Sequence, residues 1–207
     1  MTLRHTDIML DLETLGTGND AAIASIGAVA FDADEAREFL YATPAYIEQH
    51  AGKGFYRNID LSSSVESLRG DIDPATVEWW MQQGDDARRS LYLGKRVPLG
   101  QALIEFGQWV EEVSMDTRTL WSNGPTFDEV IIRSAARRYD FLLPFHFSRS
   151  RCCRTMMDLA KQMGFRPAGP GKDIVKHNAL HDAVNQARGV VAQRQFIRGR
   201  IFDGSQF

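Results

Sequence analysis

The chain has 207 residues, of which 43% are hydrophobic and 25% charged, and its 24 lysines and arginines stand against 27 acids for a net charge of −3. That length corresponds to roughly one domain with room for an insertion, and to a core that needs no covalent staple. The composition excludes collagen-like, low-complexity and disordered classes, and a net-acidic chain meets a polyanion only through local patches or with the help of cations. No apolar run reaches the ~18 residues of a membrane span, so no membrane association is expected. The opening MTLRHTDIMLDLET has neither the apolar stretch nor the cleavage site of a secretory leader. The two cysteines, Cys152 and Cys153, are sequence neighbours, a poor geometry for a disulfide. Both are expected reduced, and the compartment cytoplasmic.

In residues 7–13, Ile8, Leu10 and Leu12 alternate with Met9, Asp11 and Glu13, the period of a strand. A turn-rich break at 14–20 leads to a second apolar strand at 22–32 and a third at 54–61. Their short connections favour an antiparallel meander. Residues 33–53 read as an insertion, partly helical around 34–40, and residues 62–73 as a polar loop. Asp73 and Pro74 open a helix as N-cap and first-turn proline, with Val77, Trp80 and Met81 at helical spacing. Residues 98–113 form a stronger helix, with Leu99, Ala102, Leu103, Phe106, Trp109, Val110 and Val113 on one face.

A short buried strand follows at 118–122, ended by Asn123, Gly124 and Pro125. A helix over 126–139 has Val130, Ile131, Ser134 and Ala135 as its expected inner stripe. A brief strand is expected near 148–153, then a helix over 155–163 closed by Gly164. Residues 165–176, with two prolines and two glycines, form a loop, and a long helix runs from Asn178 to about Arg200. The order β-β-β, helices, β-α-β-α describes one mixed α/β domain over residues 1–207, the insertion included.

The acids carry the chemistry. Asp11 and Glu13 are two apart and share one strand face. Two carboxylates side by side in a core repel and desolvate badly unless a cation joins them. The alternative is the exposed face of an edge strand. Asp128 falls in the first turn of the helix after the 118–122 strand, where an acid also simply opposes the helix dipole. The third piece is His177-Asn178-Ala179-Leu180-His181-Asp182, a His-x-Ala-x-x-Asp pattern at the loop-to-helix transition before the last helix.

Together, the three clusters resemble the DEDDh branch of the DnaQ-like 3′-5′ exonucleases, over residues 7–195. Asp11 and Glu13 in DLETLG match its first motif, Asp128 in NGPTFDEVII the second, and His177 and Asp182 in HNALHDA the third, in its histidine form. Residues 25–29, SIGAV, look like that family's second strand. Residues 76–80 and 121–124 resemble a phage- and bacteria-borne subgroup. That subgroup includes exonuclease A-like phage deoxyribonucleases and small mycobacterial-type exoribonucleases. The insertion at 33–53 departs from its usual length.

The resemblance implies an α/β, ribonuclease-H-like fold: a mixed five-stranded sheet, three antiparallel strands then two parallel, flanked by helices. It also implies a nuclease that shortens single-stranded nucleic acid or 3′ overhangs, RNA or DNA, to nucleoside 5′-monophosphates. Two divalent cations, Mg²⁺ or Mn²⁺, are expected on Asp11, Glu13, Asp128 and Asp182, as befits hard oxygen ligands. Asp11 would serve both ions, Glu13 and Asp182 the ion nearest the attacking water, and Asp128 would reach the other through water. His177 is the expected general base, an imidazole suited to accepting a proton near neutral pH.

Substrate-side candidates are Thr14, Leu15, Gly16, Trp80, Asn123, Phe127 and His177. A backbone amide at Leu15 or Gly16 would meet the terminal 3′-hydroxyl, and the Leu15 side chain is either a wedge between bases or a core leucine. Trp79 and Trp80 diverge by about 100° on a helix, so one packs inside and the other faces a base. Phe127 stacks or packs. Arg133, Arg137, Arg138, Arg149, Arg151 and Arg154 are phosphate contacts or a solvated basic face. His181 is expected to face away from the site. Glu129 is read as solvated, and Asp158 as a surface acid. Two rivals remain at this level, a ribonuclease-H-type endonuclease and a non-catalytic nucleic-acid-binding module, and a homodimer stays open.

Overall fold

The computed structural model describes residues 5–34, 43–49, 53–65, 70–124 and 126–202. Its centre is a six-stranded sheet in the order β4-β3-β2-β1-β5-β6. The strands are β1 (His5–Thr14), β2 (Ile23–Phe31), β3 (Gly54–Ile59), β4 (Arg96–Val97), β5 (Ser114–Ser122) and β6 (Ser150–Cys152). Pairing is antiparallel for β1 with β2 and β2 with β3, and parallel for β1 with β5 and β5 with β6. These are the five expected strands. The sixth, β4, is a two-residue parallel addition outside β3, too short to leave a periodic trace in the sequence. The fold is the ribonuclease-H-like α/β arrangement.

The helices are α1 (Pro44–Gln49), α2 (Leu61–Val65), α3 (Pro74–Met81), α4 (Asp85–Tyr92), α5 (Leu99–Val113), α6 (Asp128–Arg138), α7 (Cys153–Gln162) and α8 (Ala179–Phe202). The alternation in β1 feeds two cores. Ile8, Leu10 and Leu12 pack under α5 and α6 with Phe106, Val110 and Ile131, while Met9 packs with Trp121, Val184 and Val191 beneath α8. Asp7 is buried but fully used: its carboxylate accepts from the Trp121 indole at 2.7 Å and from the Ala33 amide at 3.2 Å.

Three sequence expectations change. Residues 61–65 are helical rather than loop. Ser64 Oγ accepts from the Ile23 amide and Ser63 Oγ from the Leu99 amide, so the serines fix this turn through distant partners. The inner stripe of α6 is Asp128, Glu129, Ile131, Ile132, Ala135 and Ala136, with Val130 and Ser134 only half-buried. Met81 is 70% exposed, so α3 buries Trp80 alone. The helix expected around 34–40 lies largely outside the described residues, and the described part of that insertion forms α1.

Candidate active site

The chain leaves β1 for β2 and β3 on one side of the sheet and returns to β5 and β6 on the other. In open α/β sheets the crevice at the carboxyl ends of the strands, where the order reverses, is where ligands bind. Asp11 and Glu13 stand there. β1 is flanked by β2 and β5, which removes the edge-strand alternative. The β1–β5 pairing ends at Met9 opposite Trp121, so both carboxylates, still paired with β2, lie past the last residue paired with β5, where the sheet opens on that side.

Four connections bring the other groups to this point. Asp128, 2% exposed at the start of α6, accepts from the Leu12 amide at 3.0 Å, between the two β1 acids. Gly27 on β2 sits opposite Asp11. A Cβ there would fall 2.1–2.4 Å from the backbone of Ala179 and Leu180, so only glycine lets α8 start this close to the sheet. Asn178 Oδ1 accepts from the Leu180 and His181 amides and caps that start. Asp182, in the first turn, then reaches Glu13.

His177 adopts a left-handed backbone, φ 62°, which is costly outside glycine and is held from three sides. Its amide donates to Asp182 at 2.8 Å, its carbonyl accepts from Ser90 Oγ of α4 at 3.0 Å, and its ring meets Trp79 edge-on at 4.9 Å. Glu13, His177 and Asp182 present ligand atoms within 4.8 Å of one another.

The electrostatics follow from crowding. Burial, then the charges of Asp128, Glu13 and Asp182, hold the Asp11 carboxyl well above its usual range. Burial and the charges of Asp182 and Asp128 push Glu13 up to about 8. Burial raises Asp128 to about 6 against the hydrogen bonds from Leu12, its own amide and Asn123. Asp182 is raised as well, chiefly by burial. Hard oxygen donors that repel one another in a buried cluster fit a divalent cation such as Mg²⁺ or Mn²⁺.

One participant was invisible beforehand. Gln186, one turn after Asp182 on α8, donates from Nε2 to Asp11 Oδ1 at 2.6 Å, and its own Oε1 is buried without a partner. A spacing of four from Asp182 was the only available signal.

The site opens into a cleft of about 1320 Å³. Thr14, Gly16, Asn123, Phe127 and Trp80 line it with the acids, but Leu15 does not. The Leu15 amide is bonded to the Ala22 carbonyl at 2.9 Å, so the expected contact with a 3′-hydroxyl is not available there. Trp80 is 5% exposed, its indole bonded to the Thr14 carbonyl, whereas Trp79 is 42% exposed on the cleft. Of the two, Trp79 is therefore the one that presents an exposed ring to the cleft. His181 Nδ1 accepts from the Val175 amide, outside the cleft. Glu129 is buried and paired with Arg133 at 2.7 Å, not solvated. Asp158 is exposed on the cleft wall.

The family described as 3′-5′ exoribonuclease Rv2179c-like domain matches residues 6–193. The chain belongs to this family. It is a DnaQ-like 3′-5′ exonuclease, and the family implies both a nucleic-acid substrate and dependence on divalent metal. An exodeoxyribonuclease of Enterobacteria phage T4 is 24% identical to the exonuclease over 199 residues, 85% of this chain and 83% of that protein. The crystal structure of cell-death related nuclease 4 (CRN-4) shares its fold, with a TM-score of 0.57 and 15% identity. That match covers 95% of this chain and 65% of the other. No helix among the described residues is long and apolar enough to cross a membrane.

Proposed function

We propose that the chain, as one exonuclease domain, removes nucleoside 5′-monophosphates from the 3′ ends of single-stranded nucleic acid or of 3′ overhangs. Asp11, Glu13, Asp128 and Asp182 would hold two divalent cations, Mg²⁺ or Mn²⁺. When bound, the ions supply a nucleophile near neutral pH and offset charge developing on the phosphoryl group. The observation that carries this reading is the convergence of Glu13, His177 and Asp182 within 4.8 Å, beside Asp11, in a cleft at the sheet's switch point.

Asp11, whose carboxyl is repelled by all three other acids, would help hold both ions. Asp128, with one oxygen committed to Leu12, acts at longer range. His177 takes the proton from the attacking water, its ring steadied by Trp79 and Trp80 and its backbone by Asp182 and Ser90. Thr14, Gly16 and Trp79 receive the terminal nucleoside, with Trp79 offering a face to the base; such stacking is sequence-tolerant. Asn123 and Phe127 flank the scissile phosphate. RNA and DNA are both proposed as substrates, since the family description names one polymer and the phage relative's name the other. The free cysteines Cys152 and Cys153 suit a reducing cytoplasm.

The test uses 5′-labelled linear RNA and DNA strands of matched sequence, a circular strand, and a 3′-phosphorylated strand, each with Mg²⁺ or Mn²⁺. A ladder shortening from the 3′ end, spared circles and slow cleavage of the blocked end are expected. Internal cuts in the circle would replace the exonuclease reading with an endonuclease, and no product with either metal would leave a binding module.

A further inference from the structure

The cleft extends to both sides of the acid cluster, and the two sides differ in charge. One arm lies by the β1–β2 connection and is closed by α3. There the Asp73 amide is bonded to the Leu15 carbonyl and the Trp80 indole to the Thr14 carbonyl. The residues of that connection and of α3 that line it, among them Gly16, Asp73, Thr76 and Trp79, include no lysine or arginine, although Lys176, beside His177, also lines the cleft. The other arm lies beyond β5, along α7 and the 163–176 loop. Its lining includes Arg154, Lys161 and Arg188.

A 3′-terminal nucleoside carries no phosphate beyond the scissile one, whereas every nucleotide upstream adds a negative charge. That difference in charge would place the 3′ end of a strand under α3 and its 5′ body along α7.

On α7, Cys153 lines the cleft together with Arg154, Met157, Asp158 and Lys161, the last four spaced as one helix face. Both cations are exposed, and they lie about 10 Å apart along the axis at 1.5 Å per residue. The Arg154 guanidinium stands over Gly124 at the end of β5, 3.5 Å from where a Cβ would be, beside the turn that carries Asp128. The other candidate arginines are differently placed. Arg188 is paired with Asp173 at 3.0 Å and Arg133 with Glu129 at 2.7 Å, Arg138 faces Asp20 at 3.7 Å, and Arg137, Arg149 and Arg151 do not line the cleft. Asp158 is the acid on this face, and its carboxylate accepts from Gln162 at 2.9 Å.

We propose that Arg154 and Lys161 form an upstream phosphate track, Arg154 binding the phosphodiester immediately 5′ of the scissile one and Lys161 one further upstream. This inference rests on the exonuclease reading above. Arg154 thereby favours substrates longer than a dinucleotide, whose only phosphodiester is the one being cut.

The experiment compares wild type with Arg154→Ala, Arg154→Lys and Lys161→Ala on a dinucleotide, a trinucleotide and a ten-nucleotide strand sharing one 3′ end. Arg154→Ala is expected to raise KM at least 10-fold more for the trinucleotide than for the dinucleotide, with partial recovery in Arg154→Lys. Lys161→Ala is expected to act on the ten-nucleotide strand alone. Equilibrium binding of that strand, measured against salt in Ca²⁺, gives a readout independent of hydrolysis. Removing one cation from a phosphate should lower the slope of log K against log salt by about 0.7. Equal KM effects on dinucleotide and trinucleotide, or an unchanged salt slope, would overturn the track. If wild type shortens no 3′ end while its salt slope still falls in Arg154→Ala, the exonuclease reading fails and the track stands.

Discussion

Asp11, His177 and Gln186 lie in one cluster, but the proposed mechanism gives them different work, and a single titration separates them. A metal-holding carboxylate must lose ion affinity when removed. A general base must lose rate, typically 10²–10⁴-fold, while ion binding persists. In thermal unfolding against Mn²⁺, His177→Ala is expected to keep the ion-induced rise in Tm and Asp11→Ala to lose it. Gln186→Ala should weaken Mn²⁺ affinity about tenfold, since a hydrogen bond to a charged group contributes about 1.5–3 kcal/mol. Loss of ion affinity in His177→Ala would make the imidazole a ligand, and unchanged affinity in Gln186→Ala would make its bond to Asp11 incidental. At this scale Asp11, Glu13, Asp128, His177 and Asp182 were legible as a group through the family resemblance, because each acidic cluster taken alone also had an ordinary structural reading. Gln186 was not, because a neutral amide on a helix full of small and polar residues leaves no such mark. Trp79 and Trp80 were legible as a pair but not in their division, which the bond from the Trp80 indole to the Thr14 carbonyl decides.

Among the elements, α8 makes the site possible, and its height above the sheet depends on one missing methyl group. Gly27→Ala places a Cβ against the backbone of Ala179 and Leu180, which cannot rotate away as a flexible side chain would. The start of α8 must rise, separating Asp182 and His177 from Glu13. The expected outcome is a loss of about 1–3 kcal/mol in denaturant unfolding together with most of the nuclease rate. Gly18→Ala, where a Cβ meets nothing within 4 Å, serves as the control and should stay within about 0.5 kcal/mol. A Gly27→Ala protein with wild-type stability and rate would show that α8 does not need that approach. The long elements were readable from their patterns: α5 buries six of its seven expected residues, with Trp109 half-buried. The inner stripe of α6 was misjudged because docking of Asp128 onto Leu12, and not the apolar pattern alone, sets the rotation of that helix. Helix α2 escaped because its serines are fixed by residues far along the chain.

For the whole molecule, the acid cluster sets the pH dependence of stability. All four carboxylates are raised in the folded protein, so folding favours their protonated forms. The stability they contribute is fully present below the unfolded carboxylate values near 4 and is lost as pH rises through the folded ones, about 6 for Asp128 and about 8 for Glu13. Asp32 and Glu105 are lowered, Asp32 by hydrogen bonds from His5 and Thr6 that outweigh its burial, and Glu105 by Gln101 and Arg57. Those two contribute stability above their unfolded values and lose it only as pH falls further, so they are already saturated above pH 5. Between pH 5 and 8 the cluster therefore dominates among these shifted groups, and the metal-free protein becomes less stable as pH rises. A divalent cation held by these carboxylates would reverse the trend, because it would compete with protons for the same oxygens and bind the folded state alone. Thermal unfolding in EDTA is expected to give a Tm that falls from pH 5 to pH 8. The increment produced by millimolar Mn²⁺ should grow over the same range, and Asp11→Ala should flatten both slopes. A Tm in EDTA that rises toward pH 8, or a Mn²⁺ increment independent of pH, would mean that the four carboxylates do not act as one crowded, cation-seeking cluster.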